Sequence, residues 1–160
     1  MAEQKTNVMR TLEQKKVPYV PHAYPHGDAP VDGATVAGLI GKPPESVFKT
    51  LVARGASRNI FVFVIPVCGE LDLKRAAKAA GEKSVEMVHV SEITALTGYV
   101  RGGCSPIGMK KQYKTFLDSS CEERERIVVS AGKIGAQVEL APADLIRLTR
   151  VGTAALTKEP

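Results

Sequence analysis

Apolar residues recur every three or four positions in five segments of the chain, which is the period of a helix with one buried face. In the first segment, Val8, Met9 and Leu12 fall on one such face. Asp32 and Asp72 precede two other segments and can accept hydrogen bonds from the first turn of a helix. The pattern therefore predicts helices at 6–17, 32–41, 72–81, 91–98 and 141–150, with Ser91 as the N-cap of the fourth.

Seven other segments are rich in β-branched and aromatic residues and predict strands. VFKTLVAR at 47–54 and NIFVFVIP at 59–66 are separated by the turn sequence GASR, which indicates an antiparallel hairpin. The second of these strands is almost wholly apolar, so we expect it at the centre of a sheet with both faces buried. The remaining strands are predicted at 19–24, on a sheet edge because prolines remove hydrogen-bond donors, and at 82–90, 113–118, 126–130 and 136–140.

Strands outnumber helices in this pattern and do not alternate with them one for one. Parallel α/β folds require such alternation, so the order of elements favours an α+β fold. We expect a single domain over residues 1–160, because neither an internal repeat nor a linker of biased composition interrupts the chain. The expected architecture is a mixed, mainly antiparallel sheet, curled toward a barrel and surrounded by helices.

Composition argues against several classes of protein. No apolar window approaches the roughly 20 residues that cross a bilayer, and the N-terminus lacks the basic-then-apolar form of a signal peptide. The three cysteines form no CxxC pair, which argues against a disulfide framework and against a cysteine zinc site. These features predict a cytoplasmic protein without membrane attachment. Its net charge of +5 is compatible with an anionic partner.

The stretch GYVRGGCSPIGMKK at 98–111 holds the first candidates for chemistry. Gly102 and Gly103 could bring free backbone N–H groups to an anion, in the arrangement called a nest. Cys104 could act as a nucleophile only with a base or a strong positive field beside it, and no histidine is near it in sequence. An interpretation of Cys104 as a small apolar loop residue is therefore favoured over a nucleophile.

Lys49 is a further candidate, because it interrupts the apolar pattern of the predicted strand at 47–54. It is either an exposed lysine on an ordinary hairpin or a lysine at the mouth of a pocket, where its charge can meet a phosphate or a developing oxyanion. A metal site is disfavoured, because Pro25 prevents the helix that would bring His22 and His26 to one face. No cofactor is expected.

Several segments together resemble the YbaK family, also called the prolyl-tRNA synthetase-associated editing domain. The similarity is carried by VFKTL at 47–51, IPVCGELDLKRAAKAAG at 65–81, TGYVRGGCSPIGMKK at 97–111, VSAGKIGAQVEL at 129–140 and HAYPH at 22–26, in the family's order and spacing. Members are free-standing enzymes that remove wrong amino acids from tRNA, most typically cysteine from tRNA for proline. The resemblance implies deacylation at the acceptor end of an aminoacyl-tRNA, with prolyl-tRNA synthetase as a candidate partner.

The resemblance also implies roles for individual residues. Lys49 matches the family's essential lysine and Gly102 the loop glycine that approaches the aminoacyl ester, so these two are the expected catalytic residues. Cys104 stands where relatives commonly have an apolar residue, which leaves the glycines as the functional part of the loop. The expected substrate-binding residues are Tyr24, Thr50, Gly103, Ser105, Ser130 and Gln137. Basic residues that flank the loop and a nearby turn are expected to form one rim for tRNA phosphates: Arg101, Lys110, Lys111, Lys114 and Lys133.

Two positions depart from the family pattern. Cysteine-specific members have a phenylalanine near the position of Gly33 and an aspartate where this chain has Gln137. In those members the substrate's own thiol is thought to attack its ester and release a cyclic thiolactone, so that positioning supplies much of the rate. Two alternatives stay open: removal of alanine from tRNA for proline with water as the nucleophile, and a non-catalytic module that binds tRNA or a synthetase.

Overall fold

Five α-helices, two short 3-10 helices (Pro44–Ser46 and Ser119–Glu123) and eight strands are found in the residues that the computed structural model describes, which are 5–27, 29, 31–149 and 152–158. All five predicted helices are present, as α1 (Asn7–Gln14), α2 (Gly33–Leu39), α3 (Leu73–Ala80), α4 (Val90–Thr97) and α5 (Pro142–Thr149). Residue 150, the last predicted residue of the C-terminal helix, lies outside the described residues. Within those residues no helix is long and apolar enough to span a membrane.

The starts of the helices follow from their capping residues. The carboxylates of Asp32 and Asp72 accept hydrogen bonds from backbone N–H groups in the first turns of α2 and α3. The prediction of Ser91 as a cap is wrong, because α4 begins one residue earlier with His89 as its N-cap. Glu92 favours this earlier start, since its carboxylate accepts the backbone N–H of His89 at 3.0 Å.

The strands form two sheets. Sheet A is antiparallel, with the order β1 (Val20–Ala23), β7 (Ala136–Leu140) and β6 (Ile127–Lys133). Sheet B has the order β4 (Val85–Met87), β2 (Phe48–Gly55), β3 (Ile60–Pro66), β5 (Lys114–Asp118) and β8 (Gly152–Ala154). Its pairs are antiparallel from β4 to β3 and parallel from β3 to β8. The α+β class with a mainly antiparallel arrangement is confirmed.

Three details differ from the predicted architecture. The strands are divided between two sheets, and within the described residues they do not close into a barrel; the sheets meet where Val47 bridges to Val128 of β6. The strand predicted at 82–90 is reduced to β4, because Val90 already belongs to α4. Strand β8 was not predicted, since its three residues carry no alternating pattern and it forms by pairing with β5.

Strand β3 is buried on both faces, as predicted. On one face Val62 and Val64 pack against sheet A and α1, and on the other Phe61, Phe63 and Ile65 lie beneath α3. Each such side chain contributes about 1.5–3 kcal/mol through removal from water. A smaller cluster joins α2 to Val47 and Val128, where β2 starts beside β6. The core therefore holds the start of β2, a strand of sheet B, against β6 of sheet A.

Candidate active site

A cavity of about 460 Å³ opens where β2 begins, between α2, the loop at 100–104 and sheet A. Six residues that the resemblance singled out line it from five separate segments of the chain: Tyr24, Lys49, Thr50, Gly102, Ser130 and Gln137. Arg101, Cys104 and Gly33 line the same cavity. The fold thus gathers positions that are more than 100 residues apart in sequence.

Lys49 and Thr50 are neighbours on β2 and therefore belong to opposite faces of sheet B. Lys49 lies opposite Ile65, on the face that α3 covers, and Thr50 lies opposite Val64, on the face toward sheet A. No carboxylate of the described residues lies within 4.0 Å of the Lys49 ammonium, so its charge is available to a ligand. The hydroxyl of Thr50 is buried and has no hydrogen-bond partner among those residues. A ligand that supplied one would remove the cost of an unpaired buried group.

Ser130 and Gln137 lie opposite each other on β6 and β7, and both are buried at the cavity. The Ser130 hydroxyl accepts the backbone N–H of Gly132 at 3.1 Å. The side-chain amide of Gln137 makes no hydrogen bond to the described residues, so its donor and its acceptor both remain available. This pair offers neutral polar groups where an aspartate would offer a charge.

Tyr24 follows β1 and is held by the turn between β6 and β7. Its backbone N–H donates to the carbonyl of Gly135 at 3.0 Å, and its ring meets His26 edge to face, with centroids 6.3 Å apart. Only 5% of Tyr24 is exposed, so its ring forms a fixed wall of the cavity.

The glycine loop is built differently from the predicted nest. The N–H of Gly103 donates to the carbonyl of Val100 at 3.0 Å and closes a tight turn, which Gly102 completes with a φ of +87°. The proposal that both glycine N–H groups are free is therefore wrong for Gly103. A Cβ on Gly103 would lie 3.0 Å from the backbone of Lys133 and Ile134, so this glycine lets the loop approach the β6–β7 turn.

Cys104 and Ser105 have structural surroundings. Burial raises the pKa of the Cys104 thiol to about 11, so the thiol stays protonated at neutral pH although it lines the cavity. Ser105 is fully buried away from the cavity lining, and its hydroxyl accepts the backbone N–H of Ile107 at 3.2 Å. The geometry therefore gives Ser105 a role in shaping the loop in place of the predicted contact with substrate.

The basic residues do not form one rim. Arg101 lines the cavity, and Lys133 lies beside it through the contact between its backbone and Gly103. Lys111 and Lys114 line a second groove elsewhere on sheet B. Lys110 is exposed beside Gly98 and lines neither the cavity nor the second groove.

Sequence reasoning missed the apolar wall of the cavity. That wall consists of Val31, Val36, Val47, Phe48, Leu51 and Val67. Apolar residues in predicted helices and strands are indistinguishable from core residues, so no signal in the pattern identifies them. Gly33 is packed so closely on Val67 that a Cβ would lie 2.5 Å from its side chain. A larger residue at 33 therefore requires Val67 to move. Val67 supplies apolar surface to the cavity near the position at which cysteine-specific members of the family have a phenylalanine.

Comparisons with known proteins agree with this geometry. The sequence model of the aminoacyl-tRNA editing domain matches residues 30–148. A protein of Enterococcus faecalis named as a Cys-tRNA(Pro)/Cys-tRNA(Cys) deacylase, EbsC, is 47% identical over 97% of this chain and 94% of its own length. The uncharacterized protein YwhH of Bacillus subtilis is 26% identical over 68% of the chain and 69% of its own length.

The fold is also that of a solved structure described as a trans-editing enzyme for prolyl-tRNA synthetase. It superimposes with a TM-score of 0.82 at 22% identity and covers 95% of both chains. Because the family match spans most of the chain and the relative EbsC is similar almost from end to end, the chain belongs to the aminoacyl-tRNA editing domain family.

Proposed function

We propose that the protein removes cysteine from tRNA for proline by cleaving the ester that joins the two. One observation carries this proposal: the cavity joins an ammonium, a hydroxyl and an amide that have no partner among the described residues, while its own thiol, Cys104, is held protonated. Such a site is suited to positioning an already reactive ester. The name and the 47% identity of EbsC support cysteine as the amino acid and proline tRNA as the carrier.

In the proposed reaction the substrate supplies the nucleophile. Its cysteine sulfur forms a bond to the ester carbonyl carbon, the bond from that carbon to the ribose oxygen breaks, and the thiol proton passes to the leaving oxygen. The products are a cyclic thiolactone and tRNA with a free 3′ end. The attack is already intramolecular, and the protein contributes by holding the cysteinyl group in the conformation that brings the sulfur close to the carbonyl.

The cavity residues have distinct parts in this scheme. We assign the oxyanion to the backbone N–H of Gly102 and the charge of Lys49, because the Gly103 N–H is already bonded to Val100. The Thr50 hydroxyl and the Gln137 amide hold the polar groups of the aminoacyl end, between the walls formed by Tyr24 and the valines. Arg101 and Lys133 at the mouth meet the nearest phosphates.

We also propose that the enzyme works in the cytoplasm, where charged tRNA is found, and receives its substrate from prolyl-tRNA synthetase. Co-elution of the synthetase with this protein in the presence of the tRNA, and the effect of added synthetase on the rate, would test the association. A rate on Cys-tRNA(Pro) that is independent of the synthetase would contradict it.

Replacing Lys49 by Ala tests the assignment of the cavity. Removing one electrostatic contact to a developing oxyanion costs about 10²–10³ in rate, so we expect a loss of that size in the deacylation of Cys-tRNA(Pro). The free energy of unfolding should change little, because Lys49 is partly exposed and has no ion pair with the described residues. Lys78→Ala on the exposed surface of α3 is the matched control. A folded Lys49→Ala protein of ordinary activity would place the reaction elsewhere.

A further inference from the structure

A second groove lies at the end of β3 opposite the cavity. It has a volume of about 390 Å³ and runs between the β2–β3 turn, the C-terminal end of α3 and the start of β5. Three cationic residues from three segments line it: Arg58 in the turn, Lys111 in the loop before β5, and Lys114 at the first position of β5.

The charges of this groove are not neutralised within the described part of the chain. There, Arg58, Lys111 and Lys114 have no carboxylate within 4.0 Å. Glu82 also lines the groove, but its carboxylate accepts hydrogen bonds from the Ser57 backbone at 2.9 Å and the Ser57 hydroxyl at 2.7 Å. The groove therefore keeps more positive than negative charge, and an anion bound there would relieve the repulsion between its cations.

The fold holds these groups in place. Arg58 has a φ of +76°, which the turn imposes by bonding its N–H to Gly55 at 2.9 Å. The Lys111 ammonium lies 5.8 Å from the centre of the Tyr113 ring, and the Tyr113 hydroxyl donates to the carbonyl of Leu96 at 2.8 Å. A cation beside an aromatic ring, here Lys111 beside Tyr113, is among the features with which proteins bind single-stranded nucleic acid.

The groove is on the same face of sheet B as the candidate catalytic lysine. Lys49 on β2 pairs with Ile65 and Lys114 on β5 pairs with Phe61, so the two lysines are about 13 Å apart along β3 and about 10 Å apart across the sheet. The resulting separation of about 16 Å is spanned by about five nucleotides of a stacked strand.

From this placement we propose that the second groove binds the sugar-phosphate backbone of the substrate tRNA, several nucleotides from the ester held in the cavity. The proposal rests on the proposed function for the identity of the RNA. It assigns Arg58, Lys111 and Lys114 to affinity for tRNA and not to the chemical step. The groove contacts phosphates, so it contributes affinity for any tRNA acceptor end without reading its bases.

The test compares two double variants in binding and in catalysis. Lys111→Gln with Lys114→Gln removes two charges from the groove, and Arg10→Gln with Lys15→Gln removes two exposed charges from the region of α1, which packs on the other sheet. The affinity for an uncharged proline tRNA transcript is measured by fluorescence anisotropy over a range of KCl concentrations. Turnover is measured on cysteinyl-adenosine, which has the ester but no phosphate.

The groove variant should bind the transcript about tenfold more weakly at low salt, with a log–log salt slope reduced by about 0.7–0.9 for each lost contact. The α1 variant should keep nearly the wild-type slope. The variant Lys111→Arg with Lys114→Arg, which keeps both charges in the groove, should also show the wild-type slope. Turnover of cysteinyl-adenosine should be the same in the wild type and in all three variants. A wild-type affinity and slope in the groove variant, or an equal loss in the α1 variant, would overturn the proposal. If the protein cleaves neither cysteinyl-adenosine nor Cys-tRNA(Pro), but the groove variant still has a smaller salt slope than the wild type, the proposed function is refuted and the proposal for the groove stands.

Discussion

At the scale of single residues, the cavity is marked by polar groups whose hydrogen-bonding capacity is unused. Thr50 is the clearest case, because its hydroxyl is buried without a partner in the described residues. Proteins rarely leave such a group unpaired, since the loss of hydration is not compensated. The amide of Gln137, which lines the same cavity, also makes no hydrogen bond to the described residues. A ligand that bonded to the Thr50 hydroxyl would remove the cost of leaving it unpaired.

Thr50→Val should therefore have opposite effects on stability and on binding. Replacing an unpaired buried hydroxyl by a methyl group should leave the free energy of unfolding unchanged or raise it by about 1 kcal/mol. Loss of the hydrogen bond to the ligand should raise the KM for Cys-tRNA(Pro) about fivefold. Thermal unfolding and steady-state kinetics measure the two effects, with Thr35→Val on α2, whose hydroxyl bonds to Asp32, as a control that should lose stability. A Thr50→Val protein that is less stable, with an unchanged KM, would show that this hydroxyl serves the fold.

At the scale of elements, the sequence predicted every α-helix and seven of the eight strands in the described part of the chain, because their periodicity and capping residues are local signals. Strand β8 has no such signal, since its hydrogen bonds are made to β5 more than 30 residues earlier. The glycine loop shows the same limit. Its glycines predict close backbone approach, but only the fold reveals that Gly103 approaches the β6–β7 turn while Gly102 reaches the cavity.

Gly103→Ala tests the contact between these two turns. A Cβ 3.0 Å from the backbone of Lys133 and Ile134 must displace the loop by a few tenths of an ångström, which shifts Gly102 relative to the ester. We expect kcat on Cys-tRNA(Pro) to fall about tenfold or more, because misplacement of this order is costly for a positioning mechanism. Gly38→Ala is the matched control, since a Cβ there meets nothing within 4 Å and should stabilise α2. Equal activity of the two variants would contradict the assigned role of the loop.

A second element-level contact joins the segments that carry the cavity wall. Glu139 of β7 is buried, and its carboxylate bonds to His22 of β1 at 2.8 Å and to Lys42 after α2 at 3.1 Å. Burial alone would raise the pKa of Glu139, but the hydrogen bonds and charges of His22 and Lys42 bring this pKa below its ordinary value of 4.5. The ionised carboxylate therefore ties β1 and the segment after α2 to β7.

Glu139→Gln should lower stability in a pH-dependent way. A carboxyl with a lowered pKa in the folded state contributes stability above its unfolded pKa, and this contribution is lost as the pH falls through the folded pKa. We expect the variant to be less stable than the wild type by about 1–3 kcal/mol near neutral pH, with the difference shrinking below about pH 4. Denaturant unfolding at a series of pH values measures it. A difference that is constant from pH 3 to pH 7, roughly, would mean that the charge of Glu139 is not involved.

At the scale of the whole molecule, the candidate site exists because two sheets meet at the first residues of β2. Periodicity alone could not predict this junction, and the grouping of Tyr24, Lys49, Gly102, Ser130 and Gln137 came from the resemblance to a family. The apolar wall and the division of the basic residues between two sites came only from the structure. The net charge of the sequence is compatible with an anionic partner, whereas the separation of Lys49 and Lys114 along the direction of β3 comes only from the structure.

The most direct test of the account compares deacylation rates of tRNA for proline charged with cysteine, serine or alanine. Serine is nearly isosteric with cysteine, but its hydroxyl is a much poorer intramolecular nucleophile at neutral pH. If the substrate thiol attacks its own ester, the cysteine ester should react about a hundredfold faster or more than the other two. Cys104→Val should keep this preference and its rate within a few-fold, because the thiol of Cys104 is protonated at neutral pH. Comparable rates on all three esters, or loss of activity in folded Cys104→Val, would contradict the account.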